Sequence, residues 1–184
     1  MEELEEIAER IRKCKDCELW KIRKNPVPGE GPSNAKIALL GQNPGRNEDL
    51  QGKPFVGLSG KFLNKLLASI GLKREDVFIT GVVKCHTPKN RRPTKKEIET
   101  CKHFTFEQLE IIQPKVIVLL GDVALEAFGF DEKLSKIHGK IIKKEGRIYF
   151  PTFHPAAAMR FPRIRKLMEE DFKKLKRIIN QLVS

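Results

Sequence analysis

At 184 residues, 40% hydrophobic and 33% charged, the chain has the makings of one globular domain, long enough to bury roughly two-thirds of its unfolded surface. No apolar run approaches the ~20 residues that cross a bilayer, and the opening MEELEEIAER is acidic, unlike a secretory leader, so a cytoplasmic protein without a membrane partner is expected. A net charge of +12 and a pI near 9.6 turn attention away from basic partners and towards a polyanion, nucleic acid first.

An N-terminal helix is expected over residues 2–13, leading into Cys14 and Cys17 and then the Pro/Gly-rich NPVPGEGPSN. KIALLG (36–41) is a short apolar run ended by glycine, as in a buried parallel strand. The loop 41–57 follows, dense in Gly, Pro and amide side chains. GKFLNKLLASIGL repeats apolar residues at helical spacing and stops at Gly71. DVFITGVV (76–83) reads as a second buried strand, and KCHTPKNRRP (84–93) as a basic loop. Thr94 and Glu97 make a capping box that opens a helix to about Ile112. KVIVLLG (115–121) is a third strand, followed by the helix DVALEAFG. Residues 140–151 alternate enough for a hairpin leading into YFPTFHP, and a basic helix over about 162–182 closes the chain.

Strands alternating with helices predict an α/β fold, a three-layer α/β/α sandwich around a central, mostly parallel sheet. The order of strands within that sheet is not legible. Three loops follow strands, 41–57, 84–93 and 151–162. Ligands of open α/β sheets bind beyond the carboxyl ends of the strands, so these loops are expected to converge on one cleft.

The only cysteines are Cys14, Cys17, Cys85 and Cys101, spaced C-x2-C, x67, C-x15-C. Four thiols with a C-x2-C pair in an intracellular chain suggest metal before disulfides. Zinc and iron–sulfur both accept four thiolates. The width of the second pair tilts the choice slightly towards a cubane cluster, read as structural rather than redox-catalytic.

GQNPGRNEDLQGKPFVGLSG, FITGVVKCHTPKNRRPTKKEIETC and PTFHPAAAMR together resemble, in order and spacing, the family 4 uracil-DNA glycosylases, the iron–sulfur type of archaea and thermophilic bacteria. The similarity runs from Cys14 to the Arg163 region. It implies a [4Fe-4S] cluster on the four cysteines and hydrolytic removal of uracil from DNA. It also implies that Phe55 stacks on the extruded base, that His154 contacts the base's carbonyl oxygen, and that residues 155–160 insert into the duplex as a loop. Two positions depart from the family pattern. The first motif, normally Gly-Glu-Ala-Pro-Gly, is here Gly41-Gln42-Asn43-Pro44-Gly45, closer to other branches of the superfamily. The asparagine that reads uracil after the position of Thr80 is replaced by Gly81.

Breaking an N-glycosidic bond puts cationic character on the sugar and negative charge on the departing base. The site needs a positioned water, a donor for the base oxygen and a flat stacking surface. Asn43 is the candidate for holding the water, with Gln42 beside it; the alternative is that both amides satisfy turn backbone. His154 is the candidate donor, and Phe55, Gly41 and Gly81 are assigned to the base pocket. Loss of the side chain at Gly81 is expected to enlarge that pocket, which would admit hypoxanthine or require a mispaired base; His86 or Lys84 are the nearest residues that could compensate. Lys84, Lys89, Arg91, Arg92, Arg160, Arg163 and Arg165 are candidate phosphate contacts.

The expectation is a monofunctional glycosylase that acts, as a monomer in a prokaryotic cytoplasm and close to the nucleoid, on DNA carrying damaged bases. The alternative is a DNA-binding or base-sensing protein of the same fold with little or no turnover. Neither terminus offers a convincing docking peptide for a sliding clamp.

Overall fold

Along strands β1 (Ile37–Gly41) and β3 (Val116–Leu120) every residue is buried, and successive side chains point to opposite faces. Ile37, Leu39, Val116, Val118 and Leu120 enter one core, while Ala38, Leu40, Ile117 and Leu119 enter another. Strands wet on neither face need helices on both. The computed structural model, which describes residues 3–183, supplies them.

On one face lie α1 (Leu4–Lys13), α4 (Lys95–Ile112) and α5 (Asp122–Ala127), contributing Ile7, Ile98, Phe104 and Val123 to the core that holds Ala38 and Leu40. On the other lie α3 (Gly57–Ser69), α7 (Pro155–Arg160) and α8 (Pro162–Val183), with Leu63, Leu67, Ala158, Met168 and Phe172. The remaining strands are β2 (Phe78–Gly81), β4 (Ile142–Lys144) and β5 (Arg147–Thr152), and the sheet order is β2-β1-β3-β5-β4. All neighbours are parallel except the β4–β5 hairpin. The three-layer, mostly parallel architecture is the one the sequence leads to. Among the described residues no helix is long and apolar enough to cross a membrane.

The capping box of α4 forms as expected. The Glu97 N–H donates to Thr94 Oγ1 at 3.1 Å, and the Thr94 N–H donates to Glu97 Oε1 at 2.8 Å. Three segments differ from expectation. The loop 41–57 contains the short helix α2 (Arg46–Gln51), residues 134–137 form the single turn α6 (Leu134–Ile137), and the expected loop 155–160 is helix α7. Each is too short to show a helical period. Start signals are present for α7, with Pro155 at its first position and His154 as its N-cap, and for α2, where Glu48 lies three residues after Gly45.

Candidate active site

The parallel strands β1, β2 and β5 deliver their carboxyl ends, and the loops that follow, to one edge of the sheet. The last residues of β1 and β2, Gly41 and Gly81, are paired side by side. The turn after β1 is then sewn onto the turn after β2. The Val82 and Val83 N–H groups donate to Gly41 O and Gln42 O, and His86 Nδ1 donates to Pro44 O at 2.9 Å. Asn43 Nδ2 faces three acceptors, Pro44 O, Cys85 O and Thr87 Oγ1, at 3.3–3.4 Å. Carbonyls only accept, so they fix the amine end of this amide inward. Among the described residues its Oδ1 has no partner, which leaves it as an acceptor for a water O–H. The Gln42 side chain is half-buried and makes no hydrogen bond among the described residues.

His154 follows β5. Its Nδ1 accepts the Ala156 N–H at 3.1 Å, which puts the ring proton on Nε2. Burial pulls its pKa from 6.5 down to about 4, against a smaller upward pull from the Asp122 carboxylate. The imidazole is therefore neutral at physiological pH, a donor that brings no charge of its own. Its ring centroid lies 5.4 Å from that of Phe55, and both rings converge on Gly41. A Cβ there would lie 2.6 Å from Phe55 Cζ and 3.5 Å from His154 Nε2. Only glycine lets the end of β1 pass this close to the two rings.

Phe55 itself is 9% exposed and belongs to the core on the α3 side. It is a wall of that core whose outer part meets His154, so core and site readings of this residue merge. The structure thus brings Gly41, Asn43, Phe55, Gly81 and His154 to one edge of the sheet, from three separate stretches of chain.

Gly81 does not widen the pocket. A Cβ at this position would meet Val83 O at 3.1 Å, Gln42 O at 3.2 Å and the Asn43 Cα at 3.3 Å. The space beside Gly81 is lined by backbone of the 42–43 turn and Val83. Gly81→Asn is therefore expected to lose about 1–3 kcal/mol of stability by overpacking. Without room for its amide, it should not improve uracil excision. Thermal melts and a comparison of uracil with hypoxanthine release check both parts.

Lys84 is corrected outright. It is 1% exposed, and its Nζ donates to Thr80 Oγ1, Gly81 O and Gln108 Oε1 at 2.6–2.9 Å. It therefore reaches no phosphate and does not face the base. His86 is tied to Pro44 O through Nδ1. Arg91 spreads its guanidinium over the Glu97 carboxylate at 2.8 and 3.0 Å. Arg92 lies against Asp122 and Glu126 at 3.2–3.4 Å. Both remain exposed, but each already has a carboxylate partner. Lys89, in a left-handed conformation at φ 54°, and Arg160, Arg163 and Arg165 stand in solvent.

The four cysteines meet although they come from distant parts of the chain. Cys14, Cys17, Cys85 and Cys101 line one hollow with Trp20 and Phe104, and none is in a disulfide. Among the described residues no group of three or more side chains is placed to hold a single metal ion. Four sulfurs lining one hollow are a donor set of the kind that zinc and iron–sulfur clusters both accept. Arg23 Nη1 donates to Cys85 Sγ at 3.2 Å and the Lys84 N–H to Cys101 Sγ at 3.3 Å, the kind of outer contact that supports thiolate ligands. Burial pushes the Cys101 thiol up to about 12 and raises Cys14 and Cys85 as well, so ionisation here calls for bound cations. Burial lowers the pKa of Lys84 from 10.5 to about 7, against smaller upward pulls from Cys101 and Cys85.

Two contributors escaped the sequence reading. Glu48 on α2 accepts the Gly45 N–H through Oε1 and the Val56 N–H through Oε2, each at 2.9 Å, joining the first motif to the Phe55 segment. Its spacing from Gly45 is that of a capping box and was readable. Arg74 donates to the carbonyls of Pro54 and Phe55, and no local pattern announces that.

The profile of the Uracil DNA glycosylase superfamily matches residues 28–182. The chain is 47% identical to a type-4 uracil-DNA glycosylase of Saccharolobus solfataricus, over 98% of this chain and 88% of that protein. It is 45% identical to one from Archaeoglobus fulgidus, over 95% and 92%, and 44% identical to one from Thermotoga maritima, over 98% and 97%. With the profile spanning most of the chain and relatives aligned almost end to end, the protein belongs to the type-4 branch of the uracil-DNA glycosylase superfamily.

Proposed function

We propose that the protein excises uracil from DNA by hydrolysing the N-glycosidic bond after the nucleotide swings out of the helix. In this reading residues 1–184 act as one catalytic domain, as a monomer on nucleoid DNA. The contact of Phe55 and His154 over Gly41, beside the inward-turned amide of Asn43, carries the proposal. Phe55 offers its ring to the base. The Nε2–H of neutral His154 donates to a uracil oxygen, where negative charge grows as the bond to C1′ breaks. Asn43 Oδ1 accepts a hydrogen bond from the attacking water and orients it. Being a weak base, it suits a dissociative reaction in which water adds to an oxocarbenium already formed. The water oxygen bonds to C1′ and its proton is released, while the base leaves with the glycosidic electron pair.

Lys89, Arg160, Arg163 and Arg165 are the cations available to phosphates, with Arg91 and Arg92 following only if they leave their carboxylates. Cys14, Cys17, Cys85 and Cys101 would hold a [4Fe-4S] cluster, whose part here is to tie the N-terminal segment to α4 and the loop before it.

The test is an oligonucleotide carrying a single uracil, incubated with excess protein and then treated with alkali to cut abasic sites. Strand cleavage is expected with the wild type and about 100-fold slower cleavage with Asn43→Ala. A hypoxanthine substrate run in parallel is expected to be cut more slowly than uracil. No abasic product from any substrate would leave only the base-sensing alternative.

A further inference from the structure

The platform residue Phe55 has a backbone φ of +44°, a region that non-glycine residues seldom occupy and that surrounding structure must enforce. What enforces it lies outside the active site. Arg74 sits in the single 3-10 turn Arg74–Asp76 before β2, with its side chain 19% exposed. Its guanidinium Nη1 donates to Phe55 O at 2.8 Å and to Asn64 Oδ1 at 3.3 Å, and Nη2 donates to Pro54 O. Nε donates to Glu30 Oε1 at 2.9 Å. Glu30 is in turn bonded to β2 through both its backbone groups, which pair with Ile79. The carbonyl before the strained residue and the strained residue's own carbonyl are thus tied to the edge of the sheet by one planar fork. From the other side, Gly60 permits the arrangement, since a Cβ there would lie 1.9 Å from Phe55 O.

We infer that Arg74 is a positioning residue for the glycosylase site, holding the Phe55 backbone in its left-handed conformation so that the ring meets His154 above Gly41. The inference rests on the reading of Phe55 as the stacking platform given above. A lysine cannot replace this arginine, because one ammonium does not present the parallel donors that grip both carbonyls. Removing the fork frees the 54–56 segment to relax to negative φ, which swings the ring off the base position without disturbing the residues that touch the scissile bond.

A double-mutant cycle tests this on the full-length protein. Phe55→Ala is expected to slow single-turnover uracil release about 100-fold and Arg74→Met about 30-fold. If Arg74 acts only through the ring, the double variant stays near the about 100-fold loss of Phe55→Ala, whereas independent effects would multiply to about 3,000-fold. Arg74→Lys should lose nearly as much as Arg74→Met, and it carries the cycle if the methionine variant does not fold. A second readout needs no activity: amide hydrogen exchange of residues 53–57 should quicken in Arg74→Met while β1 stays protected. Multiplicative losses, or unchanged exchange in 53–57, overturn the assignment. A wild type that releases no uracil defeats the glycosylase reading instead, and the exchange result then decides the role of Arg74 alone.

Discussion

His154→Ala should slow single-turnover release of uracil by about 10²–10³-fold, the range seen when one preorganised donor to a developing oxyanion is removed. The effect is expected in the chemical step, with DNA binding nearly unchanged, because the ring touches the base and not the backbone. The pH behaviour follows from the depressed pKa of about 4. The Nε2–H donor is present in both protonation states, but only the neutral ring can accept the Ala156 N–H that orients it. The contribution of His154 to the rate should therefore be level from pH 8 down to about 5 and fail near 4. Stability moves in the same window. The unfolded chain takes up a proton near the ordinary 6.5 and the folded chain only near 4, so acidification between those values favours unfolding. Denaturant midpoints measured from pH 7 to pH 4 should fall more steeply for the wild type than for His154→Gln. Parallel curves would show that the imidazole is not held neutral.

Cys101→Ser should abolish the visible absorbance of an iron–sulfur chromophore and lower stability by about 3–5 kcal/mol, the scale of a lost cross-link or metal ligand in a small domain. The four thiols span α1's end, the turn after β2 and α4. A bridging group therefore closes a long stretch of chain, and its loss returns that freedom to the unfolded state. Cys14→Ser should act in the same direction. Iron and sulfide content together with chemical denaturation provide the check. A wild type free of iron and sulfide, whose unfolding midpoint is indifferent to Cys101→Ser, would sink the cluster.

Much of the architecture was legible because the strands are pure. KIALLG and KVIVLLG could only be buried on both faces, and the Thr94–Glu97 box announced α4 to within a residue. Short helices were not legible, since six residues at Arg46–Gln51 or Pro155–Arg160 complete fewer than two turns. At the site, the expected convergence of loops 41–57 and 151–162 is met where the Phe55 and His154 rings lie 5.4 Å apart, yet Gly81 misled. An absent side chain reads as space in one dimension, but in three dimensions a neighbouring turn takes it. Lys84 misled for a related reason. Its place in a basic run suggested solvent, whereas the chain bends at residues 82 and 83 after β2 and Lys84 turns inward, to oxygens supplied by Thr80, Gly81 and Gln108. Arg74 could not have been found, because its partners lie 19 and 20 residues away and no motif links them.

The tight seat of Gly81 against residues 42, 43 and 83 also constrains how such a chain can change over generations. A bulkier residue at 81 and a relocated 42–43 turn are each disfavoured alone, yet compatible as a pair. A paired exchange should therefore be better tolerated than either change alone. Exchanging the whole Gly41–Gly45 block along with residue 81 is accordingly the shorter route between lineages with different first motifs.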